Sequence, residues 1–315
     1  DGVSTTALIG DSSSSFQLTP GRFRQLDIVT QPTGSANGTA LGTTVLQMKD
    51  AFGNPILNDS NTDVTASIFA GTDGELTGTR TVRSSNGVVT FSNLVLGGLT
   101  SQTYELRFAS NDVLSPATTG FQITSGAPSN ITLVTPAAGA LAGKVFTTAP
   151  VVRVTDFKGN TVNNANGTLS VLVSGTGSPY FANQLGAGSI TTGEAAIPVG
   201  ISGVIGTYSV TYRATYGSTV LSVTQDGVSV AAGDANKLGI VVEPVATGVQ
   251  TGSAFTPQPV IQVQDQWGNP VSSTKQISVE ILASTLVPNT SAFQRAVLAS
   301  EVASWPVDVN SLSVP

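Results

Sequence analysis

Three short stretches fix the ground plan of this chain. "MKDAFGNPI" (48–56), "VTDFKGNTV" (154–162) and "VQDQWGNPV" (263–271) share the pattern Asp-x-x-Gly-Asn. Their aspartates, Asp50, Asp156 and Asp265, stand 106 and 109 residues apart. Other landmarks keep the same interval. Pro32, Pro136 and Pro244 recur in "IVTQPTG", "LVTPAAG" and "VVEPVATG". An alternating segment precedes each Asp motif: "TTVLQMKD", "PVVRVTD" and "PVIQVQD". Further on, "TYELRF" (103–108) answers "TYSVTYRA" (207–214), with Tyr104 and Tyr208 104 residues apart. A fixed interval shared by this many features is an internal repeat, and it overrides local guesses.

Each period consists of short alternating runs divided by Gly, Asn, Pro or Asp, which is the period-2 signature of strands and turns. The count is about seven strands per hundred residues, the mark of an all-β chain of tandem antiparallel sandwiches with Ig-like topology. Helical periodicity is confined to "SAFQRAVLASEV" (291–302), which aligns with strand segments of the other periods and is read as strand or loop. Charged residues make up 10 % and apolar residues 40 %, the opposite of the balance that keeps chains disordered. The boundaries that follow are 22–125, 126–233 and 234–315, the last one incomplete. Residues 1–20 form a terminal strand of a preceding or partner repeat. Linkers fall near "TPGRF", "SGAPS" and "AGDAN". Linkers this short predict a nearly collinear, rod-like chain.

The composition also removes chemistry. There is no Cys, so no disulfide and no thiolate. There is no His, which takes away the commonest general base and metal ligand. The formal charge is −6 with only 13 Lys and Arg, so no basic cluster suits nucleic acid. No run of eighteen apolar residues spans a membrane within this segment. No Gly-rich phosphate loop opens a helix. The expectation is a protein that is not an enzyme and carries no cofactor. An opening at Asp1 rather than Met suggests a processed product or a piece of something longer.

The Asp-x-x-Gly-Asn residues are therefore read as a structural turn: Asp50, Gly53, Asn54; Asp156, Gly159, Asn160; Asp265, Gly268, Asn269. The Asp carboxylate at the end of a strand can accept N–H groups of the turn. Gly supplies a positive φ, and Asn tolerates the left-handed region and can bond back to the backbone. The aromatic inside the motif (Phe52, Phe157, Trp267) is expected to cover the end of its own core. Trp267 and Trp305 align with phenylalanines and are assigned to the core rather than to sugar stacking. Tyr104 and Tyr208 stand where a tyrosine corner belongs. Calcium is the metal best suited to these oxygen-rich loops, with Asp50, Asp156 and Asp265 as candidate ligands beside "NDSNTD" (58–63). No D-x-D-x-D-G loop supports it, and turn capping is preferred. Sequons for glycosylation occur at Asn37, Asn58, Asn130, Asn166 and Asn289.

Taken together, "QP-x-G", "PVVRVTD-xx-GN", "NGVVTF" and "TYELRF" resemble the bacterial Ig-like repeats of invasin- and intimin-type adhesins. They also resemble the Ig-like arrays of large, S-layer-like cell-surface proteins. The resemblance implies an extracellular or cell-surface structural protein: a stalk, an S-layer element or a filament subunit. The Cys-bearing lectin-like module of that family's cell-binding tips is missing. "SSSSFQLTPGRF" (12–23) matches "ATTGFQITSGAP" (117–128), so the deficits at the two ends nearly complement each other. This permits either a window on a longer array or head-to-tail polymerisation by strand addition. The expected partners are flanking repeats or copies of the chain itself. The alternative is an adhesin that binds carbohydrate or a host or partner-cell protein.

Overall fold

The computed structural model describes residues 13–163, 166–181, 188–244 and 254–278. Among these residues every regular element is a strand. The alternation read in the sequence is visible as burial. Thr44–Lys49 shows buried and half-buried residues in strict turn, and Glu105–Ser110 does the same. The 291–302 segment and Trp305 lie outside the described residues.

The chain forms two compact units. The first comprises residues 1–131, 153–166 and 191–194; the second takes 132–152, 167–190 and 195–315. These units do not follow the sequence periods: the Asp156 turn of the second period belongs to the first unit.

In the first unit the strands are β1 (Gln25–Thr30), β2 (Thr44–Lys49), β3 (Asp63–Ala70), β4 (Glu75–Gly78), β5 (Thr81–Arg83), β6 (Val88–Phe91), β7 (Leu94–Gly97), β8 (Glu105–Ser110) and β9 (Val113–Leu114). They make sheets of order β1-β2-β6 and β5-β3-β8-β9, with β4 paired to β7. The pairings are antiparallel. Leu26, Leu46, Met48, Val89 and Phe91 from one sheet share a buried core with Val64, Ala66, Leu106 and Phe108 from the other. The Phe91 and Phe108 rings meet across it, tilted by 41° with centroids 5.0 Å apart. A two-sheet antiparallel sandwich with an apolar filling is the Ig-like arrangement.

Strands β10 (Asn130–Thr135), β13 (Val151–Thr155) and β17 (Glu194–Ala196) run through the boundaries between units. The second unit holds β11 (Ala140–Leu141), β12 (Lys144–Val145), β14 (Gly167–Val173), β15 (Ser178–Phe181), β16 (Ser189–Ile190), β18 (Val199–Ser202), β19 (Gly206–Tyr216), β20 (Thr219–Ala231), β21 (Lys237–Val242) and β22 (Val260–Gln264). Its sheets have the orders β11-β20-β19-β14-β16, β12-β18-β15 and β21-β22. Strands β19 and β20 form a long hairpin through Gly217 and Ser218. Val210, Tyr212, Ala214, Val228 and Val230 turn their side chains inward along it.

Candidate functional site

The three Asp-x-x-Gly-Asn motifs adopt one geometry. In each, the Asp N–H donates to the Asn carbonyl (Asp50 to Asn54, 3.0 Å; Asp156 to Asn160, 2.9 Å; Asp265 to Asn269, 3.0 Å). The Gly N–H returns to the Asp carbonyl at 3.2, 3.0 and 3.2 Å. The result is a three-residue hairpin loop whose last residue must be left-handed, a place suited to glycine. Gly53, Gly159 and Gly268 fill it with φ of 86°, 87° and 91°. One Asp oxygen then caps the loop. Asp50 Oδ1 accepts from Phe52 N and Asn54 N, both at 2.9 Å. Asp156 Oδ1 takes Lys158 N and Asn160 N, and Asp265 Oδ1 takes Trp267 N and Asn269 N. The Asn residues of the motif are not left-handed: among the described residues only Asn86 and Asn111 are so, apart from glycines.

In the second and third motifs the second Asp oxygen and the Asn amide, besides bonding each other, reach beyond their own loop. Asp156 Oδ2 accepts from Gly126 N at 2.9 Å and from Asn37 Nδ2 at 2.8 Å. Asn160 Nδ2 donates to Gly98 O at 2.8 Å, and Asn160 Oδ1 accepts from Thr100 N at 2.8 Å. All of these partners lie in the first sequence period or at its exit, and all belong to the first compact unit. The third motif repeats the set within the second unit. Asp265 Oδ2 accepts from Gly233 N at 3.0 Å. Asn269 Nδ2 reaches Gly203 O at 2.9 Å, and its Oδ1 takes Ile205 N at 2.8 Å. A turn that seals its own hairpin thus also clamps the loop and exit of the period before it.

Glycines shape the receiving side. A Cβ on Gly126 would lie 2.5 Å from Asn37 O, and one on Gly233 would lie 2.4 Å from Ala142 O. Contacts that close are available only to a residue without a side chain. Two of the three motif aromatics also rest on glycines. A Cβ on Gly38 would meet the Phe157 ring at 2.9 Å, and one on Gly97 would meet it at 3.2 Å. Gly143 takes the Trp267 ring in the same way, at 2.0 Å. This corrects the expectation that these aromatics cover their own core. Phe157 remains 55 % exposed and Phe52 is 90 % exposed, so neither is a core residue. Trp267 is half-buried against Gly143 rather than in a core. Lys158 adds an exposed ion pair to Glu75 at 3.0 Å.

The carboxylates are held ionised. The Asn54 amide, followed by Gly21 N, draws the Asp50 carboxyl down to about 2. For Asp156, burial pushes upward, but hydrogen bonds from Gly126 N and the Asn37 and Asn160 amides outweigh it and the net direction is down. Asp265 is likewise pushed up by burial and brought below the usual range by Asn269 and Gly233 N. This bears on the calcium candidates. Asp50, Asp156 and Asp265 sit in separate turns, and N–H donors already occupy their oxygens. A hard cation would have to displace those donors. Among the described residues no group of three or more acids gathers.

Other predicted residues scatter. Tyr104 has its hydroxyl 3.0 Å from Leu99 O and 2.9 Å from Asp73 Oδ2. Burial, reinforced by Asp73, pushes that phenol up to about 12. Tyr208 donates to Val204 O at 2.7 Å. Each hydroxyl therefore ties down the loop that the next motif grips. Among the sequons, Asn58, Asn130 and Asn166 are exposed, and Asn289 lies outside the described residues. Asn37 is a correction. It is 3 % exposed, with its nitrogen on Asp156 and its oxygen accepting from Gly98 N. A glycan there would need the clamp opened.

Sequence reasoning missed Asn37 and the glycines of the receiving side. A signal existed: Gly38 and Gly143 are 105 residues apart, as are Gly98 and Gly203, and Gly21, Gly126 and Gly233 recur in the linkers.

No family model matches the chain, and no curated protein matches it. Solved structures similar to it include the Escherichia coli adhesin FdeC, at 15 % identity over 86 % of this chain and 83 % of that one, TM-score 0.36. Domains 1–6 of the surface layer protein SbsC match at 15 % identity over 84 % of this chain and 35 % of that one, TM-score 0.32. InvD of Yersinia pseudotuberculosis matches at 16 % identity over 67 % and 71 %, TM-score 0.31. Likeness at this level says nothing of ligand or assembly.

Proposed function

We propose that this chain is a structural segment of an extracellular or cell-surface array, in which the Asp-x-x-Gly-Asn turn is the joint between successive Ig-like periods. One observation carries the reading. The same two side chains, Asp and Asn, cap their own hairpin and bond to the preceding period at both places where a preceding period is described. A buried amide with both ends satisfied by backbone groups is a positional lock, because loss of either side strands polar atoms away from water. Joints of this kind suit a stalk, lattice element or filament, where the product of the fold is reach and resistance to tension. The low charge, with few Lys and Arg to offer proteases, suits exposure outside the cell. Partners under this reading are further units of the same fold.

The test is where the protein sits and how it yields. Antibodies to the chain should label intact source cells or their shed material. Pulled end to end, Asn160→Ala chains should yield at lower force than the parent. Labelling only after permeabilisation would contradict the surface assignment. Unchanged yielding would contradict the joint.

A further inference from the structure

The first motif carries the same equipment as the other two, but only part of it is used. Asp50 Oδ2 accepts from Gly21 N at 2.9 Å, the counterpart of the bonds from Gly126 and Gly233. Asn54 differs from its equivalents. Its Nδ2 reaches Asp50 Oδ2 at 3.0 Å, and among the described residues its side chain has no second partner. Asn160 and Asn269 each hold a carbonyl and an N–H of the period before. Phe52 is 90 % exposed, whereas Phe157 lies on Gly38 and Gly97. Gly21 is uncrowded: among the described residues a Cβ there would meet only Asp50 atoms at 3.7 Å, against 2.5 Å to Asn37 O at Gly126.

We infer that the Asp50–Asn54 turn is a docking face for a further Ig-like unit, joined in line on the N-terminal side of Gly21. This rests on reading the motif as a joint. The occupant is specified by the two filled examples. It presents a left-handed glycine as a floor for Phe52, as Gly38 does for Phe157 and Gly143 for Trp267. It also offers one carbonyl and one N–H to Asn54, as Gly98 O and Thr100 N do to Asn160. The covalent route is fixed by the Gly21–Asp50 bond, since Gly126 and Gly233 make that bond where the chain leaves one period and enters the next. An exposed aromatic beside an amide that serves only its own motif, continuous with an interface built twice elsewhere, is an incomplete contact rather than an ordinary surface.

The experiment inserts the missing neighbour. Residues 1–125 are placed directly before Gly21 of residues 21–315, so that Gly21 takes the place of Gly126. The added copy carries Phe52→Leu, leaving one Phe52 to be read. A second insertion uses residues 1–232, so that Gly21 replaces Gly233 and Gly143 supplies the floor; Phe52→Leu marks its added copy too. Hydroxyl-radical labelling of Phe52 is compared with that of Phe157 in the same molecule. The inference predicts that Phe52 labelling falls to the Phe157 level in whichever insertion folds, and that restoring solvent exposure requires only Asn54→Ala. It is overturned if Phe52 keeps the labelling of the parent chain in both while Phe157 stays shielded. If Phe157 in the parent chain is labelled as heavily as Phe52, the joint itself fails and takes the inference with it. Shielding of Phe52 that grows with concentration in the parent chain would put a second copy on this face and would overturn the in-line assignment.

Discussion

Asn160 and Asn54 occupy the same motif position in different surroundings. Asn160 is 7 % exposed and serves Gly98 O, Thr100 N and Asp156; Asn54 is exposed and serves Asp50 alone. Asn160→Ala strands a carbonyl and an N–H, so it should cost about 2–4 kcal/mol, and Asn54→Ala about 1 kcal/mol or less, in urea titrations. Equal costs would mean that the bonds to the preceding period contribute nothing. The acids make a second claim. Asp50 titrates at about 2 in the fold, below the value of about 3.9 in an unfolded chain. A depressed carboxyl stabilises the fold above the unfolded value and loses that contribution as pH falls toward the folded one. The urea midpoint should therefore hold steady down to about pH 5 and decline between about pH 4 and pH 2, with Asp156 and Asp265 adding to the fall. Asp50→Asn should show a shallower decline than the parent. At this scale the sequence was half legible. That Asp caps its own loop follows from strand-end chemistry, and the capping bonds have that form. That Oδ2 and the Asn amide serve another period could not be read directly, because apart from Asn37 the partners are backbone atoms, and only the recurrence of glycines among them left a trace.

Among elements, the motif works because a hairpin loop is rigid. The left-handed glycine closes it, the Asp oxygen caps it, and the aromatic points outward, onto glycine for Phe157 and Trp267. The receiving loops are held too, Tyr104 over Leu99 and Tyr208 over Val204. Crowding at the exits gives a sharp comparison. Gly126→Ala forces a Cβ to within 2.5 Å of Asn37 O, which backbone can relieve only by moving. It should cost about 1–3 kcal/mol, whereas Gly21→Ala, with ordinary contacts, should stay within about 0.5 kcal/mol. Equal effects in thermal unfolding would refute the close approach. The strands themselves were legible, since period-2 alternation survives as alternating burial in β2 and β8. The aromatics were misread for a physical reason. An apolar residue between two strands has the same sequence signature whether it folds inward over its own core or outward onto a neighbour.

For the molecule as a whole, the fold class and the spacing of the motifs follow from the repeat interval, and both lie in the primary sequence. The joint does not follow from it, because a short linker specifies proximity and leaves contact open. Recurring glycines at Gly38 and Gly143, and at Gly98 and Gly203, were the nearest thing to a forecast. The proposed joint depends on Asp-x-x-Gly-Asn turns binding the period before them. Amide hydrogen exchange at Thr100 and Ile205, read by NMR in the parent, Asn160→Ala and Asn269→Ala chains, tests it most directly. Both amides should be protected in the parent, Asn160→Ala should free Thr100 and leave Ile205 protected, and Asn269→Ala should do the reverse. Thr100 and Ile205 exchanging freely in the parent, or keeping their protection in both variants, would contradict it.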